Sequence, residues 1–253
     1  MTKETLITFI RRYSLGDVIS KTKWKYTFGD KSLHTRAAAD NRSFIVDVVR
    51  HDFVDFGPTD AVICIGDTDK IKNMLSPFED GPDINVSINK SGDRILGLQF
   101  SNTDIECYCT CADPTSLDPV AKSLNDVPEY HVIVPLTEEF IEKFLKARSA
   151  LKDVDSFSVG MNKKGLFEIV IGYTTSNSNR IRITPSTDAS DPAVKNKLDV
   201  SLTFPVKNIV EVFKANADIP NGTLSINEAG IARLYFKNDK YTCTFFQFAN
   251  KKV

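Results

Sequence analysis

The chain has 253 residues and a formal net charge of −1, with 26% charged and 42% hydrophobic residues. These values are ordinary for globular proteins and exclude a disordered, collagen-like or low-complexity chain. Binding of a polyanion through overall positive charge is also excluded, so such a ligand would have to meet basic residues gathered on one surface.

The first part of the chain predicts two helices and seven strands. Apolar residues recur at helical spacing in residues 5–14. Asp67 is a suitable N-cap for a second helix, which Pro77 ends after Ser76. Alternating and short apolar runs predict strands at residues 24–28, 31–37, 43–49, 62–65, 83–89, 94–101 and 105–110.

Residues 112–129 differ from both flanks because they are polar and contain three prolines, which is typical of a connector. The second part then predicts a long helix that begins after Thr137 and a last helix that begins at Pro205. Strands are predicted before and between them, at residues 131–135, 156–161, 166–173, 179–185 and 198–204. The loop at residues 186–197 has no counterpart in the first part.

A long internal repeat links the two parts. Residues 71–75, 87–92 and 100–107 recur as residues 206–210, 225–230 and 236–243, at an offset of 135 to 138 residues. A repeat of this length indicates one structural unit used twice. We therefore expect domains at residues 1–112 and 131–253, joined by a connector at residues 113–130. Because parallel βαβ alternation is absent, the expected class is α+β, with antiparallel sheets and two helices on one face of each domain's sheet.

The chain carries few signals of catalysis. Its five cysteines, an odd number without a signal peptide, are expected to be free thiols in a reducing compartment. Cys107, Cys109 and Cys111 alternate, so on a strand they would lie on one face, which favours small buried side chains, although a zinc enzyme remains an alternative. No motif of a nucleotide-binding loop or a hydrolase is present, and no apolar run is long enough to span a membrane.

Basic residues stand opposite the apolar side of all four predicted helices. The repeat also gives Lys72 and Lys207 the same position. If the four helices share one surface, that surface would hold phosphates by charge and without reading base sequence. The residues expected to face DNA are Arg11, Arg12, Lys70, Lys72, Lys143, Lys146, Lys207 and Lys214.

Five stretches of the chain resemble the sliding clamps, which are the ring-shaped processivity factors of DNA replication. The resemblance is greatest to the clamps of tailed bacteriophages, with a fold like that of proliferating cell nuclear antigen (PCNA). It rests on order and spacing along the whole chain, including a Thr-Arg-Ala strand end and an Ala-Asp-Pro start of the connector. The stretches are residues 31–37, 61–75, 111–115, 136–151 and 204–213.

This resemblance implies a homotrimeric, pseudo-six-fold ring whose helices line the hole and face duplex DNA. It implies a non-enzymatic protein without a cofactor, located in the cytoplasm of an infected bacterial host. The implied partners are a DNA polymerase, a clamp loader ATPase and late-transcription factors. A hydrophobic groove near the connector would bind partner peptides, with Leu117, Pro119, Val120, Phe246 and Phe248 as candidate residues. A monomeric processivity factor of the same fold, binding DNA by surface charge, is the main alternative.

Overall fold

A computed structural model describes residues 1–53, 56–117, 129–172, 179–188, 194 and 196–250. The chain divides into two compact units, Met1–Lys122 with Asp239–Cys243 and Ser123–Asn238 with Thr244–Val253. Most of the predicted connector, residues 118–128, lies outside the described residues. Among the helices described, none combines the length and the apolar character needed to cross a lipid bilayer.

Among the described residues of the first unit, two helices and seven strands lie wholly within it, followed by a short 3-10 turn at Pro114–Ser116. The elements in chain order are α1 (Lys3–Ser14), β1 (Thr22–Thr27), β2 (Ser32–Ala38), β3 (Phe44–Arg50), β4 (Ala61–Ile65), α2 (Thr68–Leu75), β5 (Asn85–Ser91), β6 (Arg94–Ser101) and β7 (Glu106–Thr110). One sheet has the order β4-β1-β2-β3, and a second has the order β5-β6-β7.

The described part of the second unit also contains two helices. Its elements are β8 (Val132–Leu136), α3 (Glu138–Ala150), β9 (Ser156–Met161), β10 (Phe167–Ile171), β11 (Ile181–Ile183), β12 (Leu202–Pro205), α4 (Val206–Ala215), β13 (Gly222–Ile226), β14 (Ile231–Lys237) and β15 (Tyr241–Phe248), of which Tyr241–Cys243 belong to the first unit. The sheet orders are β15-β14-β13-β8 and β11-β10-β9-β12. The strand pairings described within each unit are antiparallel, which confirms the predicted α+β class.

Local chemistry explains where the helices begin. The side chains of Thr2 and Thr137 accept hydrogen bonds from backbone N–H groups three residues on, and Asp67 accepts from two N–H groups. These caps satisfy donors that a first helical turn would otherwise leave unpaired. Pro205 precedes α4 without a side-chain cap. The predicted starts of α2 after Asp67 and of α3 after Thr137 are thus confirmed, whereas α4 begins one residue later than predicted.

Aromatic side chains join the helices to the sheets. In the first unit, Phe9 of α1 packs edge-on against Trp24 of β1, with ring centroids 5.7 Å apart. In the second, Phe144 of α3 packs against Phe213 of α4 at 5.4 Å and against Phe157 of β9 at 5.6 Å. All five are buried, so each unit has a core beneath its two helices.

The register of the repeated helix differs from the sequence prediction. Measured from their first residues, α2 and α4 are offset by 138 residues, not 135. This offset matches the buried positions Thr68, Ile71 and Leu75 with buried Val206, Ile209 and Phe213. Lys72 then corresponds to Val210 and Lys207 to Asp69, so the predicted equivalence of the two lysines is wrong. A shift of three residues preserves most of a helical apolar pattern, which explains the error.

Two predicted strands of the second unit are shorter than expected. Strand β12 is Leu202–Pro205, so residues 198–201 of the strand predicted at residues 198–204 do not join the sheet. In this segment the N–H of Asp199 donates to Glu228 Oε1 at 2.7 Å. Strand β11 covers only Ile181–Ile183 of residues 179–185. Residues 173–178 and most of residues 189–195 lie outside the described part of the chain.

Candidate nucleic-acid interface

The outer faces of the four helices carry most of the residues predicted to meet DNA. Arg11 on α1 and Lys70 on α2 are exposed. Lys70 Nζ lies 3.3 Å from Thr110 Oγ1 on β7. Lys207, in the first turn of α4, is also exposed. These three residues have the exposure that contact with a phosphate backbone requires.

Arg12 corrects the prediction for α1. Its side chain is 0% exposed, and its guanidinium lies 4.3 Å from the centre of the Tyr241 ring. Arg12 follows Phe9 by three residues, so it stands on the buried side of the helix. The prediction that Arg12 faces DNA is therefore wrong, because a guanidinium stacked on an aromatic ring in the interior cannot reach a phosphate.

The other lysines form ion pairs within their own helices. On α2, Lys72 Nζ is 2.8 Å from Asp69 Oδ1. On α3, Lys143 Nζ lies 2.6 Å from Glu139 Oε1, and Lys146 Nζ lies 2.7 Å from Glu142 Oε1. On α4, Lys214 Nζ lies 2.8 Å from Glu211 Oε1. Four basic residues of the predicted set thus share the helix surface with a carboxylate.

Lys143 lowers the pKa of Glu139, the carboxylate with which it pairs. The hydrogen bond from Lys143, together with the charge of that ammonium, holds the pKa of Glu139 below its usual range. The carboxylate is therefore ionised at neutral pH, and the pair is a true ion pair. The acids of these pairs lie outside the set of residues predicted to face DNA, although a carboxylate three or four residues before a lysine on a helix predicts such a pair.

The helices are nevertheless more basic than the rest of the chain. Together α1 to α4 contain ten basic and six acidic residues, a net charge of +4 that includes buried Arg12. The whole chain carries −1, so the remaining residues carry −5. Positive charge is concentrated on the helices, in the direction that binding to phosphates requires.

The structure describes three of the five candidate groove residues. Leu117 is only 8% exposed, which leaves little of its surface for a partner. Phe246 and Phe248 are half-buried and alternate on β15 with buried Phe245 and Gln247. Pro119 and Val120 lie outside the described residues. The partner groove remains a prediction.

The five cysteines are free thiols, of which Cys64, Cys109 and Cys243 are buried and Cys107 and Cys111 are half-buried. Cys109 and Cys111 line a cavity of about 200 Å³ beside the start of α2. Burial raises the pKa of Cys64 and Cys109, and it raises the pKa of Cys111 to about 12. Within the described part of the chain, no group of three or more His, Cys, Asp or Glu side chains is arranged to hold a metal ion.

Comparison with known proteins finds relatives at the level of structure. No protein-family model and no curated sequence matches the chain. It is similar to PCNA from Entamoeba histolytica, with 14% identity and a TM-score of 0.69, covering 98% of this chain and 96% of that one. It is similar to A. fulgidus PCNA with the C-terminal region of FEN-1 bound, with 16% identity and a TM-score of 0.73, covering 100% and 98%.

A third structure, the PCNA2-PCNA3 complex from Sulfolobus tokodaii, matches with 11% identity and a TM-score of 0.69, covering 100% of this chain and 98% of that one. These likenesses extend over the whole chain, in agreement with the fold expected from the five resembling stretches. The greater resemblance to bacteriophage clamps stays a prediction. Along its full length, the chain has the fold of the PCNA sliding clamps.

Proposed function

We propose that the protein is a sliding clamp that encircles duplex DNA and tethers a replicative polymerase, without reading base sequence. The observation that carries this proposal is the concentration of positive charge on the four helices of a chain with the PCNA fold. A topological tether needs no active site, so the protein acts as a processivity factor and not as an enzyme.

Two edge strands support assembly of the clamp from copies of this chain. Among the strands described, β7 pairs only with β6 and β11 pairs only with β10. Such edges offer unpaired backbone groups to another chain. Exposed Glu106 lies on β7 and exposed Asp104 lies two residues before it, whereas exposed Arg182 lies on β11 and exposed Arg180 directly precedes that strand. Opposite charges favour pairing of β7 in one copy with β11 in the next, which is a head-to-tail contact.

The two edge strands also match in the placement of their apolar sides. On β7, Cys109 lines the cavity that Ile71 of α2 also lines, so this side faces the helix. On β11, Ile181 shares a side with Phe157 of β9, whose ring packs against Phe144 of α3. Pairing of the strands would bring both apolar sides to the helix side of one extended sheet. This arrangement supports head-to-tail assembly, and the proposed closure of three copies into a ring rests on the resemblance in sequence.

The proposed partners follow from the same role. A closed ring requires a clamp loader ATPase to open it on DNA, and a polymerase, together with late-transcription factors, would bind its outer surface. A. fulgidus PCNA binds the C-terminal region of FEN-1, which supports a peptide-binding groove of the kind predicted at Phe246 and Phe248. The proposed setting is the cytoplasm of a bacterium infected by a tailed phage, and this rests on the resemblance in sequence.

The mass in solution and the topology of DNA binding test the proposal. Light scattering should give three times 28.2 kDa, about 85 kDa, for the trimer. After loading by the cognate loader, the protein should stay on nicked circular DNA and be lost when the circle is cut. A mass of 28.2 kDa with steeply salt-dependent direct binding would favour the monomeric processivity factor instead. Equal retention on circular and linear DNA would contradict the ring.

A further inference from the structure

Four lysines on the helix faces are bonded to carboxylates that project from the same side of the helix. In each pair the acid precedes the lysine by three or four residues, so the two side chains are neighbours on the surface. Any phosphate that approaches one of these lysines therefore also approaches its acid. The pairs are Asp69–Lys72, Glu139–Lys143, Glu142–Lys146 and Glu211–Lys214, at 2.6 to 2.8 Å.

A carboxylate and a phosphate compete for the same ammonium group. At the same distance in water, an ammonium group attracts a carboxylate and a phosphate oxygen of equal charge equally. A lysine that turns to DNA exchanges one such contact for another and gains little. The carboxylate left behind then faces the phosphates and repels them. The acids thus oppose binding in two ways.

We propose that Asp69, Glu139, Glu142 and Glu211 limit the affinity of the helix faces for DNA, so that an enclosing clamp can slide. This inference rests on the proposed function, in which these faces meet the duplex. Enclosure supplies retention on DNA, so direct affinity can be low without loss of the tether. Strong contacts would instead hold the ring at one position, because each step along the duplex would have to break them.

The affinity for DNA and its salt dependence test the role of the acids. The test variant is Glu139→Gln with Glu142→Gln, which releases two lysines of α3 and keeps the shape of both side chains. The matched control is Asp30→Asn with Asp93→Asn. Both control residues are exposed in turns, and neither forms an ion pair among the described residues. The test and control variants raise the net charge equally.

Fluorescence anisotropy measures binding to a short linear duplex between about 50 and 200 mM salt. It separates release of the α3 lysines from the general effect of removing two negative charges. The glutamine variant should bind about tenfold more tightly at the low-salt end, with a steeper dependence on salt because each released lysine neutralises a further phosphate. The control should stay within about twofold of the unmodified protein. Equal tightening in both variants, or none in the glutamine variant, would overturn the proposal.

Further measurements separate the role of the acids from misfolding of the variant and from enclosure of DNA. Thermal unfolding shows whether the glutamine variant is folded, and Glu211→Gln against Asp93→Asn repeats the comparison on α4. Retention of the unmodified protein on nicked circular DNA tests enclosure separately. If the unmodified protein is not retained on the circle but the glutamine variant binds the linear duplex more tightly, the clamp is contradicted and the role of the acids stands. If the unmodified protein is retained but the glutamine variant binds the linear duplex no more tightly, the role of the acids is contradicted and the clamp stands.

Discussion

Arg11 and Arg12 are neighbours of the same type with opposite environments. Arg11 is exposed on α1, whereas Arg12 is fully buried against the ring of Tyr241. Arg50 also lies over this ring, with its guanidinium 4.9 Å from the ring centre. A buried arginine contributes through the packing of its stem and the stacking of its head, so its loss is a loss of structure.

We therefore expect Arg12→Ala to lower the free energy of unfolding by about 2–4 kcal/mol, whereas Arg11→Ala should change it by no more than about 0.5 kcal/mol. Urea unfolding followed by circular dichroism measures both. For DNA binding, Arg11→Ala should weaken affinity and reduce the salt slope by about 0.9 in each copy that contacts a phosphate. Unchanged stability of the Arg12 variant would contradict the buried role.

At the scale of elements, the hairpin of β6 and β7 depends on a close approach at Gly97. A Cβ atom added there would lie 2.5 Å from the Tyr108 ring and 2.7 Å from the carbonyl oxygen of Cys109. The ring could turn away, but the carbonyl belongs to the ladder that joins the two strands. Glycine is thus required at this position by the space available.

Gly97→Ala should lower the free energy of unfolding by about 1–3 kcal/mol, because the added methyl group forces the two strands apart. Gly29→Ala is the matched control, since nothing lies within 4 Å of a Cβ atom at that turn. The control should stay within about 0.5 kcal/mol of the unmodified protein. Equal midpoints of chemical unfolding for the two variants would show that β6 and β7 adjust without cost.

At the scale of the whole molecule, the charges on β7 and β11 should govern assembly. We expect Glu106→Arg or Arg182→Glu alone to shift the protein from trimer towards monomer, because each places like charges across the proposed contact. The double variant restores opposite charges and should recover much of the trimer. Sedimentation at several protein concentrations measures the shift, with Asp30→Arg as a control for charge. A double variant as dissociated as either single one would argue against this pairing of strands.

The fold was largely predictable because it is encoded in local patterns. Capping residues such as Asp67 and Thr137 mark the helix starts, and apolar spacing marks the side of each helix that is buried. The repeat indicated two units of the same kind. Its helix register was wrong by three residues, since a shift close to one helical turn changes an apolar pattern very little.

The chain by itself determined the elements, their caps and the excess of positive charge on the helices, because these depend on residue type and on spacing within a few residues. Tertiary structure decided which charges are available to a ligand. Arg12 stands among helix arginines in the sequence, but its solvent exposure depends on Tyr241, some 230 residues away. Likewise, a strand lies at the edge of a sheet when no strand pairs with one of its sides. Pairing between residues far apart in the sequence decides this, and local patterns do not predict it.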